Sequence, residues 1–322
     1  MGELEQSKNT NPKSKIAYVF PGQGSQAVGM GKDLADNFPA AREVFERADD
    51  ALGFPLAAMC FEGNEEDLQL TANTQPAILA TSVAAFTAME SEGFPTPSYV
   101  AGHSLGEYSA LVAAGVLNFG DALRTVRNRG TYMQEAVPLG VGAMAAVLGL
   151  DLETIELGCA EAAQGDVCSP ANINSPSQVV IAGNSEAVDR ACEILKGKGA
   201  KRAIKLNVSA PFHCGLMTPA EERLDVDLQE LNYGNFRFPI VHNVDAEPND
   251  DPAKVAEALK RQVSSPVKWL QSVEKLRSLG VGKFIEVGPG KVLSGLLRQI
   301  DREAVAANVE NTESLRLALE TL

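Results

Sequence analysis

The 322-residue sequence predicts an α/β fold in two parts, a large one built on a parallel sheet and a small one inserted into it. Three observations carry that prediction. Short apolar runs at Ile16, Ser98, Pro239 and Lys283 alternate with long helical patterns such as Gln75 to Glu92, as in a parallel sheet with helices on both faces. From Ala143 to Val208 the order changes to β-α-β-β-α-β, the ferredoxin-like arrangement. Between these stretches Gly102-His103-Ser104-Leu105-Gly106 spells G-x-S-x-G where a strand gives way to a helix.

Taken in order, residues 1–14 are polar and lack the apolar segment of a secretory signal, so they read as a flexible tail. Ile16 to Phe20 is a strand that enters a Gly-rich turn holding Gln23. Ser98 to Ala101 is a second strand, followed at once by the pentapeptide and by helix formers from Glu107 to Ala114. Asp121 to Val137 is amphipathic and carries Arg124, Arg127 and Arg129. The inserted unit then reads strand Ala143 to Leu148, helix Leu152 to Ala163, strands Cys168 to Ile173 and Gln178 to Ala182, helix Ser185 to Lys198, and strand Ala203 to Val208. Pro138-Leu139-Gly140 and Pro211 flank it as hinges. Beyond it come a helix from about Leu216, a strand-like run Ile240 to Val244, and a strand Lys283 to Val287 that turns through Gly288-Pro289-Gly290 into another helix. The expected organisation is therefore a large domain of residues 15–138 and 210–322 interrupted by a ferredoxin-like subdomain of residues 139–209.

Composition excludes several function classes. A formal net charge of −14 disfavours nucleic acid as a partner. No apolar run approaches the roughly 18 residues that span a bilayer. With 45% hydrophobic and 22% charged residues the chain can bury a full core. Cys60, Cys159, Cys168, Cys192 and Cys214 show no C-x-x-C spacing, so reduced thiols and no metal site are expected.

The pentapeptide points to a serine nucleophile. A strand that turns directly into a helix strains the backbone at the serine and leaves no room for side chains beside it, a need that Gly102 and Gly106 meet. The turn lifts the Ser104 hydroxyl out of the sheet and frees the Leu105 N–H for an oxyanion. This elbow makes the large domain α/β-hydrolase-like. A serine needs a base, and the chain has three histidines. His103 adjoins the serine and reads as a support of the turn; His242 lies in a strand-like run and reads as structural. His213, in the loop Ser209-Ala210-Pro211-Phe212-His213-Cys214-Gly215, is the remaining candidate. Cys214 reads as a small buried thiol, not as a partner of His213. Ser104 precedes the insertion and His213 follows it, which puts the active site in the cleft between the two parts. These residues alone leave esterases, thioesterases and non-catalytic acyl-binding proteins open.

A run of motifs in fixed order narrows the choice: Phe20-Pro21-Gly22-Gln23-Gly24-Ser25-Gln26, Thr74-Gln75-Pro76, Gly102 to Tyr108, Arg129-Gly130 with Met133-Gln134, Asn174-Ser175-Pro176, Ala210-Pro211-Phe212-His213, Asn243-Val244-Asp245-Ala246 and Glu286-Val287-Gly288-Pro289-Gly290. From about Lys15 to Leu297 the chain resembles the malonyl-CoA:acyl carrier protein transacylases of fatty acid synthesis, with the acyltransferase domains of polyketide synthases as relatives. The resemblance implies Ser104 as nucleophile, His213 as base, the Gln23 and Leu105 N–H groups as oxyanion hole, and the Gln262 backbone carbonyl as the group that orients His213. It implies Arg129 as partner of the substrate's free carboxylate, where a planar guanidinium forms two parallel hydrogen bonds that lysine cannot copy. Phe212 and Met133 would shape the acyl pocket. The implied partners are coenzyme A thioesters and acyl carrier protein, with no metal or redox cofactor, for a monomeric cytoplasmic enzyme. Acyl carrier proteins are acidic, so an acidic enzyme needs a local cationic surface. Lys196, Lys198, Lys201, Arg202 and Lys205 offer one, although a solvated helix end explains them equally.

Overall fold

The computed structural model describes residues 14–208 and 210–322. Its larger sheet contains β1 (Lys15–Phe20), β2 (Tyr99–Gly102), β7 (Ile240–Val241), β8 (Pro248–Asn249), β9 (Val281–Val287) and β10 (Val305–Val309), in the order β10-β9-β1-β2-β7-β8. Every pairing is parallel except β7 with β8. β1 is central, and its alternating residues feed two cores. Tyr18 and Phe20 join the cluster containing Ile78 and Phe86, while Ala17 and Val19 join Trp269, Val273, Phe284 and Leu293 on the other face. Helix Thr71–Ser91 is apolar around nearly its whole circumference because it is wedged between helices Pro39–Leu52 and Phe119–Glu135.

The smaller sheet contains β3 (Gly142–Leu148), β4 (Cys168–Ser175), β5 (Gln178–Asn184) and β6 (Arg202–Lys205), ordered β4-β5-β3-β6 with all pairs antiparallel. The first strand thus lies between the third and the fourth, as the β-α-β-β-α-β order predicts. Helices Leu152–Ala163 and Ser185–Gly197 cover one face through Ile155, Ala191 and Leu195. Met144, Ala171 and Val180, on the other face, belong to the core of the larger sheet. A second tie joins the two parts: Val267 exchanges backbone bonds with β4, its N–H donating to the Ala171 carbonyl at 2.9 Å and its carbonyl accepting from Ile173 at 2.9 Å.

Several expectations need correction. The strand expected over 203–208 ends at Lys205, because Pro211 packs its ring against Gly142 and draws the chain off the sheet edge. The run Ile240 to Val244 is extended only at Ile240–Val241, after which His242 and Asn243 turn inward to hydrogen bonds. The Ser98 strand begins at Tyr99. β8 and β10 were not expected; one is two residues long and the other a partly exposed edge. The polar tail lies outside the described residues except for Ser14. Among the described residues no helix is long and apolar enough to cross a membrane.

Candidate active site

β2 ends at Gly102 and helix Gly106–Ala113 starts four residues later, so the chain reverses over His103-Ser104-Leu105. Close approach makes both glycines necessary. A Cβ at Gly102 would lie 2.0 Å from the Gly106 carbonyl oxygen, and one at Gly106 would lie 2.0 Å from the Phe20 carbonyl oxygen. Ser104 itself has φ +50°, a left-handed conformation held from outside. Its N–H donates to Asn243 Oδ1 at 2.7 Å, while Asn243 Nδ2 donates to the Gly102 carbonyl at 2.6 Å. His103 supports the turn as expected, its Nε2 2.9 Å from Asn174 Oδ1 and its ring 5.7 Å from that of Trp269.

The Ser104 hydroxyl lies 2.7 Å from His213 Nε2. His213 Nδ1 is 2.8 Å from the Gln262 backbone carbonyl, an acceptor only, so Nδ1 carries the proton and Nε2 is free to take one from serine. The ring is buried and sits near Arg129. Burial first, and the Arg129 charge second, push its pKa down from 6.5 to about 3. His213 is therefore a neutral base at physiological pH. Cys214 faces away and donates to the Pro211 carbonyl at 3.1 Å.

Arg129 is 1% exposed, on the inward face of helix Phe119–Glu135. Its Nη1 donates to Gln75 Oε1 at 2.8 Å; its Nη2 donates to Gln262 Oε1 at 2.9 Å and to the Ser104 hydroxyl at 3.1 Å. Arg124, by contrast, pairs with Asp121 at the surface. The serine hydroxyl thus lies one hydrogen bond from a base and one from a buried cation. Both face a cavity of about 700 Å³ that is also lined by Gln23, Leu105, Met133 and Phe212. The backbone N–H groups of Gln23 and Leu105 find no acceptor among the described residues, which leaves two donors at the cavity for an oxyanion.

The acyl transferase domain model matches residues 17–318. The chain belongs to the acyl transferase family. A relative from Salmonella typhimurium, named malonyl CoA-acyl carrier protein transacylase, is 49% identical over 306 residues and covers 95% of this chain and 99% of its own length. One of the same name from Bacillus subtilis is 48% identical over 310 residues, covering 96% and 98%. Among solved structures, an acyl carrier protein S-malonyltransferase from Vibrio cholerae matches with TM-score 0.93 at 50% identity, covering 94% of this chain and 99% of the other. A malonyl-transacylase in complex with its type II PKS acyl-carrier protein matches with TM-score 0.94 at 50% identity, covering 96% and 100%.

In this acyl transferase the residues singled out from sequence, Ser104, His213, Arg129, Gln23, Leu105, Met133 and Phe212, line one cavity, with Gln262 behind it. The basic stretch lies elsewhere, and its charge is partly spent. Lys196 pairs with Glu193, Lys198 with Glu161 and Lys205 with Asp189, all at the surface. The sequence shows no acid between positions 196 and 205, but folding brings three acids to it. Lys201 and Arg202 remain exposed. Four further residues hold the site: Gln75, Glu107, Asn174 and Asn243. Each stands in one of the family motifs, yet the bonds by which they hold the site reach Arg129, Gln262, His103 and Ser104, each more than 50 residues away in sequence.

Proposed function

We propose that the chain transfers the malonyl group of malonyl-CoA to the phosphopantetheine thiol of acyl carrier protein through a malonyl-serine intermediate. One observation carries the reading: the Ser104 hydroxyl lies 2.7 Å from His213 Nε2 and 3.1 Å from Arg129 Nη2. The first distance activates the serine. The second supports a buried guanidinium within reach of a carboxylate whose carbon is two bonds from the thioester carbon.

His213 takes the Ser104 proton as the oxygen attacks the thioester carbonyl. The negative charge that develops on the carbonyl oxygen is met by the N–H groups of Leu105 and Gln23; one such donor is typically worth about 3 to 4 kcal/mol. The tetrahedral intermediate collapses, the C–S bond breaks, and protonated His213 returns its proton to the departing coenzyme A thiolate. The carrier thiol then loses its proton to His213, attacks the malonyl-serine ester and releases Ser104. Throughout, Arg129 gives up the serine hydroxyl for the acyl carboxylate. A neutral acyl group would leave this buried cation without an anion, which is the origin of the selectivity. Phe212 and Met133 wall the acyl end. These steps call for no metal or redox cofactor. The reading includes a large domain of residues 15–138 and 210–322 around a small one of residues 139–209, a cytoplasmic monomer, and carrier docking near Lys201 and Arg202.

Incubation with labelled malonyl-CoA, with and without holo carrier protein, tests it. Label is expected on the wild-type protein, to move to the carrier, and to be absent from Ser104→Ala. Release of free malonate at a rate matching label turnover makes the protein a hydrolase instead.

A further inference from the structure

Glu107 is a fully buried carboxylate behind the nucleophile. Its place in the first turn of helix Gly106–Ala113 accounts for an acidic residue at that position, but not for its burial, which is costly unless every lone pair is engaged. The carboxylate has three donors around it. Oε1 accepts from His242 Nδ1 at 2.6 Å; Oε2 accepts from the Asn243 N–H at 3.0 Å and from Gln262 Nε2 at 2.9 Å.

Two of these donors have no freedom to reverse. Asn243 offers a backbone N–H. His242 has Asn249 Nδ2 3.1 Å from its other ring nitrogen, and Asn249 is held by Asp251 at both ends of its amide, at 3.1 and 3.0 Å. Nε2 of His242 must accept, so Nδ1 must donate. Gln262 is the third donor, and its NH2 is shared between Glu107 Oε2 at 2.9 Å and the Ser104 carbonyl at 3.0 Å. Held inward by these two acceptors, the NH2 directs Oε1 outward to Arg129 Nη2 at 2.9 Å. The same carboxylate fixes Asn243, whose side chain holds the Ser104 N–H and the Gly102 carbonyl.

We propose that Glu107 is a positioning and specificity-determining residue, which through Gln262 sets the Arg129 guanidinium to receive an acyl carboxylate. The inference rests on the malonyl-transfer reading above. An amide at 107 sets its NH2 against a donor whichever way it turns: against His242 Nδ1 at one position, or against the Asn243 N–H and Gln262 Nε2 together at the other. The last arrangement removes one of the two acceptors that hold the Gln262 amide, and the Oε1 it presents to Arg129 is no longer fixed.

Glu107→Gln, Gln262→Met and the double variant test this by kcat and KM for malonyl-CoA and for acetyl-CoA with a holo carrier protein. Gln262→Met keeps the backbone carbonyl that orients His213. Each single variant is expected to lower the malonyl-to-acetyl ratio of kcat/KM by about tenfold, chiefly through the malonyl KM, and the double variant to lose no more than Gln262→Met alone. General loosening of the fold slows both substrates alike and leaves the ratio unmoved. A ratio within about twofold of wild type in either single variant, or losses that multiply in the double, overturns the proposal. Should Glu107→Gln fail to fold, the Gln262→Met ratio decides alone. A wild-type protein with no malonyl preference overturns the transfer reading itself; a malonyl-selective wild type whose variants keep that selectivity overturns only the part given to Glu107.

Discussion

On the transfer reading His213 acts as the base, a role for which it must be neutral, and Arg129 helps to keep it so. In the free enzyme the imidazole titrates near 3, with burial as the larger cause and the Arg129 charge as the next. Activity that needs the neutral ring is lost as pH falls through that value, so kcat/KM for acetyl transfer is expected to stay level well below the ordinary histidine value of 6.5. In Arg129→Gln the second cause is gone, the histidine pKa rises, and the acid limb of the same profile is expected to move toward neutrality. That variant should also lose about 3 kcal/mol of malonyl selectivity, roughly a hundredfold in the malonyl-to-acetyl ratio. An acid limb that does not move would show that burial alone sets the histidine. Stability follows the same sign. Below 6.5 the unfolded chain binds a proton at His213 that the folded chain refuses until about 3, so folding weakens across that window as pH falls.

At the scale of elements, the elbow is a three-way backbone contact among β1, β2 and helix Gly106–Ala113. Gly106→Ala drives a Cβ into the Phe20 carbonyl at 2.0 Å and is expected to cost about 3 kcal/mol or more, with loss of malonyl labelling. Gly295→Ala, in helix Val292–Ile300 with open space at the Cβ, is the control, expected to change stability by less than about 1 kcal/mol. Equal melting temperatures for the two would remove the elbow's steric case. This element was legible from five residues, because strand, turn and helix are consecutive and the glycine requirement is local. Glu107, the next residue, was not. Its meaning depends on His242, Asn243 and Gln262, and in sequence a buried acid at a helix start looks the same as a solvated one.

For the molecule as a whole, the ferredoxin-like order was legible because its six elements follow one another. The order of the larger sheet was not, since neighbours such as β1 and β9 are joined across most of the chain. Surface charge shows the same divide. Five cations in ten residues read as a patch until the fold supplies Glu161, Asp189 and Glu193. Exposed pairs of this kind contribute little to stability, yet they cancel the local field that a carrier protein would sense. Reversal of Lys201 and Arg202 to Glu is therefore expected to raise the carrier KM about fivefold or more and flatten its salt dependence, with reversal of the paired Lys196, Lys198 and Lys205 weaker. An unchanged carrier KM in the first variant would move the docking surface elsewhere.

The bond from Gln262 Nε2 to the Ser104 carbonyl, at 3.0 Å, spans 158 residues of chain. At a synthesis rate of about 10 residues per second, Ser104 leaves the ribosome roughly 16 seconds ahead of the glutamine that holds its turn, His213 and Arg129 in register. Until that segment emerges, the nascent chain carries the serine with Arg129 unplaced and the Glu107 carboxylate lacking all three of its donors. Translation order thus postpones the assembly of the site: Ser104 acquires this support only once Gln262 has emerged.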